Sequence, residues 1–244
     1  MTFLSVIIPA YNEEKRISET LEIIETYLSK QNYKSEILVV DDGSKDNTVN
    51  IVKDFSNKNP CIKLHQNPGN QGKGAAVKRG MLNALGKYRL FSDADLSAPI
   101  VELERLLKWA LQGYDVVIGS RNIPDPDVKI EALLKRKIIG RIFNLIVQIL
   151  ILPKFHDTQC GFKLFSAESA MKIFSLQKLS GFSFDVEILY LAEKLNYKIK
   201  EVPVNWHHVP ASKVSIIKDS IRMFNDIINI KSIHRETFKN NYKN

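Results

Sequence analysis

Short β-branched apolar runs alternate with amphipathic helical stretches through the first 120 residues, and that rhythm restricts the chain to very few architectures. Residues 3–8 read as a buried strand closed by Pro9, and a polar loop, Ala10-Tyr11-Asn12-Glu13-Glu14, leads into a helix through Ile17, Leu21, Ile24 and Leu28. A second strand, 36–40, stops at Asp41-Asp42-Gly43-Ser44, after which Asp46 or Asn47 can cap a helix carrying Val49, Val52 and Phe55. Residues 62–65 suggest a third strand, and the glycine-rich turn 67–74 precedes a helix through Ala76, Val77 and Met81. A fourth strand, 88–91, ends at Asp93-Ala94-Asp95; a helix at 100–111 and a strand at 115–119 follow. The alternation predicts an α/β fold, a mostly parallel Rossmann-like sheet flanked by helices. Ligands of such sheets collect at the carboxyl ends of the strands, where every polar motif here stands.

Beyond Arg121 the pattern turns to amphipathic helices. In the stretch 132–152, Lys137, Arg141, Asn144 and Gln148 form one narrow polar stripe on an otherwise apolar cylinder. The stretch 214–233 sets Ile217, Ile221, Phe224 and Ile228 on one face, with Lys218, Arg222, Asn225 and Asn229 away from it. Two readings stand: both helices pack against the sheet or each other, or they lie on a membrane with their cations at anionic headgroups. The apolar run 138–152 is interrupted by polar residues and extends only about 22 Å as a helix, short of a bilayer's core of about 30 Å. The expected organisation is one domain over 1–238 followed by a loose tail, 239–244.

With 35 Lys and Arg against 27 Asp and Glu, the net charge of +8 favours an anionic partner. No helix-turn-helix, zinc or aromatic-basic signature accompanies it, so nucleic acid is not the expected partner. Two cysteines without metal-ligand spacing point to a reducing compartment, and the first apolar run has no basic leader; a cytoplasmic location is expected.

Two carboxylates one residue apart at a strand end, Asp93 and Asp95, bring both side chains within reach of one divalent cation whose other positions can take ligand phosphates. Singly, such aspartates also serve as turn formers, as do Asp41 and Asp42 beside Gly43. Cys160 suits packing better than nucleophilic chemistry, since neither a nearby base nor a covalent step is implied for it.

The ordered series Ser5 to Glu14, Val40-Asp41-Asp42-Gly43-Ser44, Gly72-Lys73-Gly74, Asp93-Ala94-Asp95 and Gly119-Ser120-Arg121 resembles the family-2 glycosyltransferases of GT-A fold. The later runs Asp157 to Phe165, Phe184-Asp185-Val186-Glu187 and Val204-Asn205-Trp206 are similar to those of polyprenyl-phosphate glycosyltransferases, most of all the dolichyl-phosphate β-glucosyltransferase group. The resemblance implies metal-dependent, inverting transfer of glucose from UDP-glucose to a dolichyl or undecaprenyl monophosphate at the cytoplasmic membrane face, with peripheral attachment. It implies that Asp93 and Asp95 hold Mg²⁺ or Mn²⁺. Pro9, Tyr11, Glu13, Asp41 and Lys73, with Asp93 and Ala94, would form the nucleotide site. Asp157 and Gln159 would meet the donor sugar, Asp157 alternatively orienting an arginine, a role open to Asp185 as well. Arg121, Arg136 and Lys213 would position the acceptor phosphate, and Arg121 and Arg136 count with the acid pair as catalytic. Related mannosyl enzymes often carry Gln where Ser97 stands, and relatives commonly have Arg where Gln71 stands. The rival readings are a GDP-mannose-dependent mannosyltransferase and a noncatalytic module that binds nucleotide sugar or lipid phosphate.

Overall fold

The computed structural model describes residues 1–131, 143–209 and 216–239, with backbone alone for 216–221. The strands of the main sheet are β1 (Leu4–Ala10), β2 (Ser35–Asp41), β3 (Ile62–Gln66), β4 (Tyr88–Ser92), β5 (Val116–Ser120), β7 (Phe162–Ser166) and β8 (Ile199–Pro203). They pair in the order β3-β2-β1-β4-β7-β5-β8, every pairing parallel except those of β7. A small parallel ribbon joins β6 (Ile130–Glu131) to β9 (Trp206–His207).

Both faces of the sheet are covered, which is why β1 and β4 are buried along their whole length, Ser5 and Arg89 included. On one face, α1 (Ile17–Ser29), α2 (Thr48–Lys58) and α4 (Leu103–Ala110) close over Leu4, Val6, Ile8, Val39 and Leu90. On the other, α3 (Lys73–Asn83), α6 (Ala167–Leu176), α7 (Phe184–Lys194) and α8 (Ile216–Ile233) close over Ile7, Leu38, Val40 and Phe91. The helical residues 143–150, here α5, add Val147 to this second core, and the terminal turn α9 (Arg235–Phe238) adds Phe238.

Pro9 does not close β1 as the sequence suggested; the strand runs on to Ala10. Pairing with β4 has stopped by then, at Ile7 opposite Phe91, while Ala10 accepts from the Asp42 N–H on the β2 side. Strand alternation therefore turns the missing N–H of Pro9 toward the side that needs no donor.

The larger departure lies after Arg121. The sequence shows a shift toward amphipathic helices there and names no strand, yet β7 inserts antiparallel between β4 and β5, Ser92 opposite Phe162, and β8 extends the edge beside β5. Lys163 disguises β7 as a polar segment. Its ammonium is fully buried, pairing with Asp185 and donating to the Cys160 carbonyl at 2.6 Å. Asp185 is thus the partner of a lysine, not of the arginine that the sequence suggested.

The expected helix 132–152 falls partly outside the described residues, as do 240–244 of the expected tail. Among the described residues no helix is long and apolar enough to cross a membrane. In α8 the buried stripe is Ile227 and Ile230, whereas Phe224 and Ile228 stand 42% and 51% exposed. The helix end is locked to α7. His234 Nε2 hydrogen-bonds with Glu187 Oε1 at 2.6 Å, both side chains fully buried, and Lys178 Nζ donates to the Ile233 carbonyl at 2.7 Å.

Candidate active site

Because β1, β2 and β4 are parallel neighbours, the loops leaving them converge at one edge of the sheet. They enclose a cleft of about 450 Å³ whose walls include Pro9, Tyr11, Glu13, Lys73, Asp93, Ala94 and Asp95. Seven residues chosen from sequence therefore meet in one place. Two left-handed residues shape the loops, Asn12 at φ 53° and Leu96 at φ 48°. Asparagine tolerates that region and here also accepts from the Lys45 N–H at 2.7 Å. Leu96 has no such excuse; the strain is borne where the chain must turn immediately after Asp95, with the Leu96 N–H donating to the Asp93 carbonyl.

The two acids share the cleft but not their partners. Lys73 Nζ lies 2.7 Å from Asp93 Oδ1, and Asp95 Oδ1 accepts from the Ser97 N–H at 3.0 Å. Burial pushes the Asp93 carboxyl above its usual range, more than Lys73 beside it pulls it down, and the charge of Asp95 adds to the rise. Burial works against the Lys73 ammonium, yet Asp93 and Asp185 hold it above its ordinary value. Gly161 makes the position of Asp93 possible: a Cβ there would sit 2.0 Å from Asp93 Oδ2, while the Gly161 carbonyl accepts from the Asp93 N–H. Gly72, at φ 104° and with Ser180 O only 2.4 Å from where a Cβ would be, delivers Lys73 at the start of α3.

Asp41 and Asp42 divide their work. Asp41 is buried beneath the cleft, accepting from the N–H groups of Gly43 and Ser44 at 3.1 to 3.3 Å. Asp42 lines the cleft and ties down its rim, accepting from the Gln71 and Gly72 N–H groups at 3.0 and 2.8 Å. Sequence reasoning favoured Asp41. The only signal for its neighbour was strand alternation, which turns consecutive side chains to opposite sides.

Arg121, at the end of β5, faces a second cavity of about 790 Å³, shared with Asn122, Pro124, Val128, Asn144, Leu145 and His156. Its guanidinium is gripped by Asp157, Nε to Oδ2 at 2.6 Å and Nη2 to Oδ1 at 2.8 Å, and the Arg121 N–H donates to the same carboxylate at 2.9 Å. The Trp206 ring lies under it, 5.4 Å from centroid to Cζ. Burial alone would raise the Asp157 carboxyl; the Arg121 charge and its hydrogen bonds outweigh that and hold it below the ordinary value. Of the two roles that sequence left open for Asp157, orienting an arginine is the one its geometry displays. Glu201 on β8, unforeseen in sequence, accepts from the Asp157 N–H at 2.7 Å and from the His156 N–H.

The cleft and the cavity are neighbours because β7 is antiparallel. Its N-terminal end meets the carboxyl ends of β4 and β5, so the loop through Gln159, Cys160 and Gly161 stands between Asp93 and Arg121. Gln159 Nε2 is buried there without a hydrogen-bond partner among the described residues. Burial first, then Asp157, pushes the Cys160 thiol up to about 12, consistent with a packing role. Arg136 and Lys213 lie outside the described residues.

α8 contributes Arg222, Met223 and Asp226 to the wall of the cleft; Asp226 Oδ2 accepts from Ser183 Oγ at 2.7 Å. The sequence set Arg222 away from the face of Phe224 and Ile228; it is exposed there, on the side of the helix that lines the cleft.

Residues 5–174 match the family described as Glycosyl transferase family 2. A dolichyl-phosphate beta-glucosyltransferase of Dictyostelium discoideum is 40% identical over 241 residues, covering 94% of this chain and 74% of the relative. One from Saccharomyces cerevisiae is 40% identical over 254 residues, with the same coverages of 94% and 74%, and one from Homo sapiens is 32% identical over 93% of this chain and 74% of its own. Among solved structures, glucosyl-3-phosphoglycerate synthase from Mycobacterium tuberculosis in complex with UDP superposes at a TM-score of 0.69 and 20% identity, over 95% of this chain and 80% of that one. A mannosyl-3-phosphoglycerate synthase from Rubrobacter xylanophilus reaches 0.70 at 15% identity, over 100% and 76%. The Mycobacterium enzyme has also been crystallised with Mn²⁺ and UDP-glucose. These neighbours agree with the GT-A fold expected from sequence.

Proposed function

The chain belongs to glycosyl transferase family 2, and from that premise we propose that it transfers glucose from UDP-glucose, with inversion, to a polyprenyl monophosphate of the dolichyl type, releasing UDP. The observation that carries this reading is the junction of two sites across one loop: a carboxylate-lined cleft ending at Asp93 and Asp95, and a cavity presenting the Arg121 guanidinium. Residues 1–238 act as one unit in it.

Pro9, Tyr11, Glu13 and Asp42 suit the base and ribose, Asp41 serving beneath them as the turn acid that sets the loop. Asp93 and Asp95 offer oxygen ligands of the kind Mg²⁺ and Mn²⁺ prefer, and the Lys73 ammonium 2.7 Å from Asp93 supports a preference for positive charge at this point. When bound, such an ion supplies Lewis-acid stabilisation of the departing diphosphate. Lys73 can then turn to a phosphate oxygen. Gln159, its amide nitrogen buried and unpartnered between the two sites, is available for a sugar hydroxyl.

A lipid monophosphate has a second pKa near about 6 and arrives largely dianionic, so the nucleophile needs orientation and no base. Arg121 provides it, its fork held by Asp157 and its face by Trp206. Arg136 and Lys213 are assigned to the same phosphate on the strength of the family resemblance. For the lipid chain, exposed Leu145, Ile149 and Leu150 on α5 stand near exposed Phe224 and Ile228 on α8, the helices joined by Lys231 Nζ donating to the Leu150 carbonyl at 2.8 Å. This apolar flank supports peripheral attachment to an anionic membrane, with the cytoplasmic face as the expected side.

A matrix of radiolabelled UDP-glucose and GDP-mannose against dolichyl and undecaprenyl phosphates tests the proposal. Label moving from UDP-glucose to lipid only with Mg²⁺ or Mn²⁺ supports it; transfer from GDP-mannose alone reassigns the donor, and no transfer from either ends it.

A further inference from the structure

The donor cleft contains three cations, and two of them are already spoken for. Arg16 Nε lies 2.6 Å from Glu13 Oε2, and Lys73 Nζ lies 2.7 Å from Asp93 Oδ1. The third, Arg222, reaches in from α8 and makes no ion pair or hydrogen bond with any described residue. Its guanidinium rests against Gly181, where a Cβ would come within 4.0 Å of Cζ and Nε. That distance is ordinary van der Waals contact, so the guanidinium packs along the 181–183 loop at the cleft mouth.

A nucleoside diphosphate brings more negative charge than one divalent ion cancels. An exposed, unpaired guanidinium lining the same cleft as Asp93 and Asp95 is the group best shaped to take the remainder, because its fork matches phosphate oxygens two at a time. Asp226 stands one helical turn away on the same side, but its Oδ2 is engaged by Ser183 Oγ at 2.7 Å, which holds this part of α8 against the 181–183 loop. The locked C-terminal end of α8, through Glu187, His234 and Lys178, fixes the rest of the helix.

Resting on the donor reading above, we infer that Arg222 is a phosphate-positioning residue, contributed by α8 to the diphosphate of the nucleotide sugar. Nothing in the sequence resemblance assigns this residue; helical phase set it only away from the face of Phe224 and Ile228.

The test is equilibrium binding to the full chain in Mn²⁺ buffer, with UDP titrated directly and uridine measured by competition. Arg222→Gln should weaken UDP by about tenfold or more, as expected for a lost charge-assisted contact, while uridine stays within about twofold; Arg222→Lys should recover part of the loss. The uridine arm reports an intact cleft in each variant. Equal UDP affinity in wild type and Arg222→Gln would overturn the inference and leave the donor reading standing. Parallel loss of uridine and UDP would also overturn it, since a phosphate contact does not touch the nucleoside. A wild-type chain that binds no UDP would remove both.

Discussion

The two halves of the site are built by opposite strategies. The donor cleft is assembled from loops that follow β1, β2 and β4, each a short excursion at the end of its own strand; of its paired acids, Asp93 holds the Lys73 ammonium and Asp95 makes no ion pair among the described residues. The cavity at Arg121 is assembled across long sequence distances, from the end of β5, the 156–157 loop, β8 and α5, and its one described guanidinium comes with its counter-ion already attached. The difference suits what each half would hold. A diphosphate and its metal exchange every cycle, so charges there must be recruitable; a lipid phosphate is to be aimed without being quenched, so Arg121 is held by Asp157 with part of its charge spent.

If recruitable acids are the point of the cleft, Asp95→Asn should give the largest loss, about a thousandfold in turnover even at saturating Mn²⁺, because several kcal/mol of stabilisation of the leaving group disappear. Near-normal turnover would break the contrast at once. Gly161→Ala attacks the same feature from the backbone. Its Cβ would lie 2.0 Å from Asp93 Oδ2 and must displace that carboxylate, and a shift on the order of 1 Å costs about a hundredfold. The expected signature is a raised Mn²⁺ requirement with the melting temperature little changed, read from activity against metal concentration.

That same division governs what the sequence discloses. Motifs of the cleft are legible because each is a local run: Pro9, Tyr11 and Glu13 in one loop, Asp93 to Asp95 in another, and strand-helix alternation brings the loops together without further information. Asp41 and Asp42 mark where local reading ends, since adjacent residues turn to opposite sides and only a known register tells which faces the cleft. β7 was hidden by Lys163, a residue depleted in buried strands, whose partner Asp185 lies 22 positions away. Glu201 and Arg222 were hidden for a related reason: one reaches Asp157 from β8, the other reaches the cleft from the last long helix, and neither has a sequence neighbour that shares its role.

Asp157→Asn sharpens the comparison from the cavity side. It leaves Arg121 with a neutral partner, and since the arginine side chain is 28% exposed while Asp157 is fully buried, the loss should be smaller than for a wholly buried pair: about 2 kcal/mol, some thirtyfold in the folding equilibrium. The sign of its pH dependence follows from the depressed folded pKa. Asp157 contributes stability above its ordinary value of 3.8, and that contribution is lost as pH falls through the lower folded value. Urea melts at pH 7 and at acid pH should therefore show wild type and Asp157→Asn converging toward low pH. A gap that widens instead would mean that the pair does not carry the stability assigned to it.

The smallest expected effect concerns the flank that the two helices expose. Phe224 and Ile228 lie on the side of α8 away from its buried stripe, Ile227 and Ile230, so replacing them with Ser removes apolar surface without opening a cavity. Each side chain fully buried in a lipid interface contributes about 1.5–3 kcal/mol, and at roughly half exposure in the free protein the pair should change vesicle partitioning by about tenfold. Sedimentation with vesicles containing phosphatidylserine measures it, with melting temperature and transfer to a short, water-soluble polyprenyl phosphate held as controls. Reduced pelleting with both controls unchanged separates membrane attachment from phosphate capture at Arg121. Unchanged pelleting would move the attachment surface off α8 and leave its contribution to the donor cleft as the helix's remaining role.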